Sequence, residues 1–535
     1  MITRKQALGG LAAGALIVIT ASWLWWQHRT PALPPVPQTP IVALPQGLQA
    51  PDAVIATPDL ASLPHALLSL PLANKVLTED MVDYYEHHPD RLGIEGSLRR
   101  IAYEHDLTLQ DRLLARLLAQ PAEVAFWKSD DGRLGHWLIR MRRDALSSAL
   151  SWLAKVALSD SQLKAEGEIK VGNSTEPIYR LEYGAGESLL LVSHGPQLLV
   201  MSDDALLNGD RLGDSADWAP LLGKMLTDHS ANPLLQSFGV QASAQGNTLA
   251  VSTRYLSFGY QQLFSTVRAL RADFSAEAWS THVLLDGKHA WDAKPLFDAA
   301  PSKAALCLSA PVEWARLAPS SKAAGIEAGW LTQLDPTAAI CWYPDASLYS
   351  PLLLARTRQP GQFAQHAQQL FDWLVATQGD NAEDAPAPST PAAQRWQRRV
   401  AAVDGELSDA QGRYFNVSLA SAGDTIVFSP SAQLVDLALQ VQARKYPALS
   451  DQFDANAQLQ GYSNPAALSQ LLQKSVMATL PGKEQQPLLR QAAVTYLLPH
   501  VKAIGEFKPL QWRVQTGADS RQPLHWDDLL WQDAP

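Results

Sequence analysis

The sequence predicts an α+β protein: two related domains of mostly antiparallel sheet with packed helices, preceded by one N-terminal transmembrane helix. Three observations carry this. Residues 7–26 hold no charge. Short apolar runs are punctuated by Gly, Pro and Asp, which marks strands joined by tight turns. One long pattern, first met at "AEVAFWKSDDGRLGHWLIRMRR" from residue 122, returns at "AAICWYPDASLYSPLLLARTR" from residue 338.

The N-terminus comes first. "MITRKQ" is short and basic, and "ALGGLAAGALIVITASWLWW" supplies 20 uncharged residues. That length matches a bilayer core. Arg4 and Lys5 precede the span and Trp23, Trp25 and Trp26 close it, which keeps residues 1–6 cytoplasmic and the bulk of the chain outside. A cleaved signal peptide near Ala21 and Ser22 fits the same residues. The expectation is an uncleaved anchor in the cell inner membrane. Seven prolines between Pro31 and Pro51 follow; such a segment is stiff and extended. Residues 27–56 are read as this spacer.

The repeated unit organises the rest. In the first copy the turn "KSDDGR" separates the apolar runs "VAFW" and "HWLIRM", a hairpin signal. "RDALSSALSWLAKVAL" then places Leu146, Leu150, Leu153 and Ala157 on one helix face, with Asp144 as N-cap. "IYRLEY", "SLLLVS" and "QLLVMS" read as strands and "DDALLNG" as a short helix. In the second copy "AICW" and "SPLLLAR" are the hairpin. "GQFAQHAQQLFDWLVAT" puts Phe363, Ala367, Leu370 and Leu374 on one face. "RVAAV", "RYFNVSLA" and "DTIVFS" are strands, and "SAQLVDLALQV" is the closing helix. Each half reads β-β-α-β-β-β-α. Trp127 and Trp342 stand at the same place in it, 215 residues apart. A period that long implies a duplicated domain and not a solenoid. The expected domains are 57–290 and 291–535, with a mobile low-complexity loop at 379–394. Helices are expected ahead of each copy, an amphipathic helix near "FSTVRALRA", and a last strand or docked segment at "PLHWDDLLW".

Composition narrows the function. The chain has 535 residues, 47% apolar and 18% charged, with a net charge of −10. No basic stripe is present, which argues against nucleic acid as a partner. Two cysteines, Cys307 and Cys341, sit in the apolar runs "AALCLS" and "AAICWY". A disulfide between neighbouring strands and two separate buried thiols both fit.

The familiar catalytic patterns are absent. There is no G-x-S-x-G elbow, Walker A, H-E-x-x-H or C-x-x-C. Ser161 and Lys164 form S-x-x-K without its companions, so a solvated helix end is the expectation. Gly184 and Gly186 read as a hairpin turn. His87 and His88, with Glu86 and Asp90, read as a helix end at Pro89 more readily than as a metal site, since adjacent helical residues diverge. The carboxylate pairs Asp130–Asp131, Asp203–Asp204 and Asp527–Asp528 read as turns and caps. Most of the 17 Trp lie in apolar runs and read as core. No catalytic, cofactor-binding or metal-ligating residue is assigned, and no cofactor is expected.

"VLTEDMVDYYE", "DRLGIEGSLRRIAYEHDLTLQD" and "LAKVALSDSQL", with the basic start, single span and Pro-rich spacer, resemble the YfaA-like family of bacterial envelope proteins, a domain of unknown function. The resemblance covers nearly the whole chain. It implies a periplasmic bulk in a Gram-negative cell and a role beside alpha-macroglobulin-like envelope proteins; it carries no catalytic residues. The reading is therefore a non-catalytic periplasmic binding or scaffold protein. An envelope hydrolase with a fold-assembled site and a carrier of lipid or another hydrophobic ligand are the alternatives.

Overall fold

The computed structural model describes residues 50–60, 119–128, 134–142, 162–184, 187–202, 219–227, 233–240, 246–253, 264–275, 279–287, 291–317, 328–376, 382–384, 393–401, 414–454, 459–479, 493–515 and 524–534, with a few single positions besides. The N-terminal span, the spacer up to residue 49 and the helices expected at 143–158 and before residue 119 lie outside them. The described residues of Thr30–Tyr255 and Ala269–Thr281 form one compact unit. Those of Leu256–Arg268 and His282–Pro535 form another.

The first unit is one antiparallel sheet. Its strands are β1 (Ala53–Thr57), β2 (Ala122–Lys128), β3 (Leu134–Arg142), β4 (Leu163–Val171), β5 (Ser174–Gly184), β6 (Glu187–His194), β7 (Gln197–Met201), β8 (Asn247–Ser252) and, from Ala269 on, β9 (Val267–Phe274). They lie in the order β9-β8-β1-β2-β3-β7-β6-β5-β4. β9 turns into β10 (Trp279–Asp286), which pairs with it. Helices α1 (Ala219–Thr227) and α2 (Pro233–Gln236) follow β7 in sequence. They bury Leu222, Met225, Leu226, Leu234 and Leu235 completely.

The second unit holds β11 (Leu306–Pro311), β12 (Thr337–Trp342), β13 (Leu352–Arg356), β14 (Ala382–Asp384), β15 (Gln394–Ala401), β16 (Tyr414–Ala422), β17 (Thr425–Ser429), β18 (Gly461–Ser463), β19 (Leu510–Gln515) and β20 (Leu524–Asp533). Their order is β20-β19-β18-β11-β12-β13-β17-β16-β15-β14, again antiparallel throughout. Adding ten to each strand number of the first sheet gives the second, from β4 and β14 at one end to β9 and β19.

The register repeats as well as the order. Ala125 faces Leu138 across β2 and β3, and Ile340 faces Leu353 across β12 and β13. Both partners are shifted by the 215 residues that separate Trp127 from Trp342. The β6–β7 and β16–β17 hairpins each turn in two residues, with Gly195 and Gly423 at the first position. Their φ angles are 52° and 59°. A side chain there would be strained, which is why both turns need glycine.

β12 and β17 are buried along their whole length, because helices cover both faces of the second sheet. After the short helix α3 (Lys294–Phe297), helix α4 (Pro360–Ala376) packs Phe363, Ala367, Leu370 and Leu374 against Val417, Leu419, Ile426 and Phe428. Helix α5 (Ala432–Gln442) packs Leu434, Val435 and Ala438 against Ala420 and Val427 on the other face. A strand buried on both faces reads as an unbroken apolar run, as "TIVFS" does. Cys307 and Cys341 are directly opposed on β11 and β12 and form a disulfide.

Several expectations are corrected. "FSTVRALRA" does not make a helix: Val267 onward is β9, where period-two alternation places Ala269 and Arg271 on one face. "LKAEGEIKV", read as a helix end, is β4, a strand whose Lys164–Glu168 segment is solvent-exposed and so carries no apolar signal. Each half thus has one strand more than expected after its helix. In the second half that strand is β14, which falls inside the loop read as mobile. β1 begins at Ala53, inside the stretch read as spacer.

Candidate functional site

A row of charged side chains lies buried in the first unit. Glu123 on β2 faces Arg140 on β3. On its other side Glu123 faces Ala56 of β1, Ala56 faces Thr248 of β8, and Thr248 faces Asp273 of β9. Directly opposed residues share a face of the sheet, so these five side chains form one line across five strands. Arg271, two residues before Asp273, joins them on the same face. Glu123 is 2% exposed, Arg140 6%, Thr248 0%, Asp273 2% and Arg271 1%.

The two ends of the row differ in how well they are satisfied. Asp273 accepts from Thr248 Oγ1 at 2.8 Å and from Arg271 Nε at 3.1 Å. Glu123 is only half satisfied. Its Oε1 accepts from the backbone N–H of Leu235 in α2 at 2.7 Å, and its Oε2 has no hydrogen-bond partner among the described residues. The Arg140 guanidinium donates through Nε to the Met225 carbonyl of α1 at 3.1 Å. Burial raises the Glu123 carboxyl to about 7, against the smaller opposing pulls of the Leu235 hydrogen bond and the Arg140 charge.

The second unit builds its matching strands without these charges. The 215-residue shift that superimposes the β2–β3 pairing on β12–β13 carries Glu123 to Ala338 and Arg140 to Ala355. Ala310, opposite Ala338, stands where Ala56 stands in the first unit. Ile426, opposite Ala355, stands where Leu199 stands. The matching strands carry apolar residues in one unit and a buried carboxyl facing a buried guanidinium in the other. Buried ionisable groups with perturbed acidity mark candidate sites, and buried charged groups are weak contributors to net stability. The arrangement can take up and release a proton near neutral pH beneath two short helices.

Two other clusters contain catalytic residue types. At the ends of β5 and β6, His194 Nδ1 lies 2.7 Å from Glu176 Oε1 and 3.4 Å from Ser174 Oγ, and Ser174 Oγ also lies 3.1 Å from Glu176 Oε1. A relay needs serine and acid on opposite ring nitrogens; here both meet Nδ1, so this is a hydrogen-bonded surface cluster. On β20, His525 Nε2 lies 3.5 Å from Asp527, both 4% exposed at the side chain, while Asp528 meets His282 Nδ1 at 2.8 Å. Adjacent strand residues point to opposite faces, so Asp527 and Asp528 do not form a pair. They belong to β20, the last strand expected at "PLHWDDLLW", and not to the turn or cap read for the pair itself.

The other residues singled out from sequence are scattered. Lys164 lies on β4 and pairs with Glu182 at 3.1 Å. Gly184 ends β5, in a hairpin with β6 as expected. His87, His88, Glu86, Asp90, Asp130, Asp131, Ser161, Gly186, Asp203 and Asp204 lie outside the described residues. Among the described residues there is no group of three metal-ligating side chains, and no helix is long and apolar enough to cross a membrane. Sequence reasoning missed the charged row. The available signal was a single acid at an inward position of an otherwise apolar strand, "AEVAFW".

Comparison with known proteins gives three results. The family model described as "Uncharacterized protein conserved in bacteria (DUF2138)" matches residues 6–531. "Uncharacterized protein YfaA" of Escherichia coli (strain K12) is 32% identical, over 99% of this chain and 100% of its own length. The structure of crystal form IV of TP0453 matches 47% of this chain and 81% of its own at 9% identity, with a TM-score of 0.21, a likeness too weak to build on. The match from residue 6 to residue 531, with the full-length relative beside it, makes this chain a member of the DUF2138 family of uncharacterised bacterial proteins, YfaA among them.

Proposed function

We propose that this protein is a non-catalytic binding or scaffold module, anchored in the inner membrane through residues 7–26, with its bulk in the periplasm. The observation that supports it most is the repeated sheet: ten strands in one order, then ten more in the same order and with the same register at the matched hairpins. We read this as duplication of one α+β domain. A duplicated domain offers two similar surfaces on which partners could be held. The Cys307–Cys341 disulfide supports an oxidising compartment. The uncharged stretch at 7–26 supports the anchor.

The proposed partner is another envelope protein, with an alpha-macroglobulin-like protein as the first candidate. The test is a crosslinked pull-down of the tagged full-length protein from native envelopes, read by mass spectrometry against an anchor-only control. Specific recovery of an envelope protein supports the scaffold reading. Recovery of nothing above the control, together with a specific co-purifying lipid or small ligand, replaces it with a carrier.

A further inference from the structure

We infer that Glu123 is a proton-operated latch, which holds α1 and α2 on the first sheet while its carboxyl is protonated and loosens them when it ionises. The geometry carries this. Glu123 rises from the start of β2, as its second residue, and takes the Leu235 N–H of α2. Its neighbour Arg140 takes the Met225 carbonyl of α1. One pair of opposed strand residues therefore fastens both helices. The helices' own Leu222, Met225, Leu226, Leu234 and Leu235 are all fully buried. The fastening is incomplete at one atom, Glu123 Oε2, which has no partner among the described residues. Ionisation places a charge at a buried oxygen with no donor to meet it.

The charged and titratable groups around Glu123 are few. From β3 comes Arg140, already engaged with Met225. From β1 the opposed residue is Ala56. α2 carries no charge, and the one charge on α1 is Lys224, which is exposed. Beyond Ala56 lie Thr248, Asp273 and Arg271, bonded to one another. Arg140 is thus the one facing cation among the described residues. In the second unit the matching position is Ala338 and no such latch exists.

The expected effect follows from proton linkage. A carboxyl at about 7 when latched and at its ordinary value when released makes release about tenfold more favourable at pH 8 than at pH 6. Amide exchange of residues 234–236 in the full-length protein, corrected for intrinsic rates, reads this directly. Protection should fall about tenfold between pH 6 and pH 8 in the wild type and stay flat in Glu123→Gln. Amides of β16 and β17 should stay flat in both. Protection at 234–236 that does not change with pH in the wild type overturns the latch, whether or not the variant folds. An equal fall in Glu123→Gln assigns the effect to another group and overturns it too.

Discussion

Replacing Gly461 by alanine is expected to destabilise the second unit, against what strand propensity says. Glycine in a strand interior costs about 0.5–1 kcal/mol relative to alanine, so propensity alone makes G461A stabilising. Gly461 faces Trp512 directly across β18 and β19. A Cβ at residue 461 would lie 1.8 Å from Trp512 Cζ2, 2.0 Å from Cε2 and 2.5 Å from Cη2. Carbon atoms rest at about 3.5–4 Å, so the indole must withdraw by nearly 2 Å. It has little room: Trp512 is 6% exposed and its ring sits 4.7 Å from that of Trp531. Overpacking of this kind costs about 1–3 kcal/mol, and loss of the ring pair about 0.5–1.5 kcal/mol more. Set against the propensity gain, a net loss of about 2 kcal/mol is expected. Urea unfolding of the full chain, with reporters in each unit, measures it. Gly167, with nothing within 4 Å of its Cβ position, is the control: G167A should be neutral or slightly stabilising. The W512A background should remove most of the G461A penalty, since the ring is the obstacle. A neutral or stabilising G461A in the wild-type background refutes the reasoning.

Other consequences can be measured on the same protein. Reducing the Cys307–Cys341 bridge opens a loop with a sequence separation of 34, which should lower the stability of the second unit by about 3–4 kcal/mol in denaturant melts. Hydrogen bonding and charge from Arg356 hold the Asp424 carboxyl below its usual range. That contribution is present above the unfolded value and is lost as pH falls through the folded one, so D424N should flatten the acid side of the stability curve of the second unit. Glu123 has the opposite sign. Its raised carboxyl makes the folded state bind the extra proton between about 4.5 and about 7, so stability falls as pH rises through that window. E123Q should remove the slope and leave the first unit up to about 3 kcal/mol more stable at pH 8.

Much of the architecture was legible because turns and apolar runs are local signals. Trp127 and Trp342 mark equivalent strands because an indole in an apolar run belongs to a core, and the structure buries both. α4 was visible from its 3.6-residue stripe. What was not legible depended on partners distant in sequence. β4 has an exposed charged face and is recognisable as a strand through its hydrogen bonds to β5. β9 contains Arg268, Arg271 and Asp273. The spacing of these charges suggests a helix until Thr248, 25 residues earlier, is known to bond Asp273. The charged row combines residues from β1, β2, β3, β8 and β9, brought to one level by register alone.

The contrast between the two sheets bears on why the row is there. If it were required for folding, the second unit could not have Ala338 and Ala355 at the matching places. If it were neutral, drift toward apolar residues would meet no resistance, because replacing a buried ion pair by apolar groups of similar volume is often neutral or stabilising by about 1–4 kcal/mol. A double-mutant cycle separates the terms. R140M alone removes the cation facing Glu123 and leaves the Met225 carbonyl without that donor. At pH 8 it should cost about 3–5 kcal/mol. E123L/R140M should recover most of that, since no buried charge is left over. Both effects are read from urea melts of the first unit. A double variant as unstable as R140M means the pair is structural after all. A double variant that is stable and folded, but no longer captures its envelope partner, places the reason for keeping the charges in binding and not in the stability of the sheet.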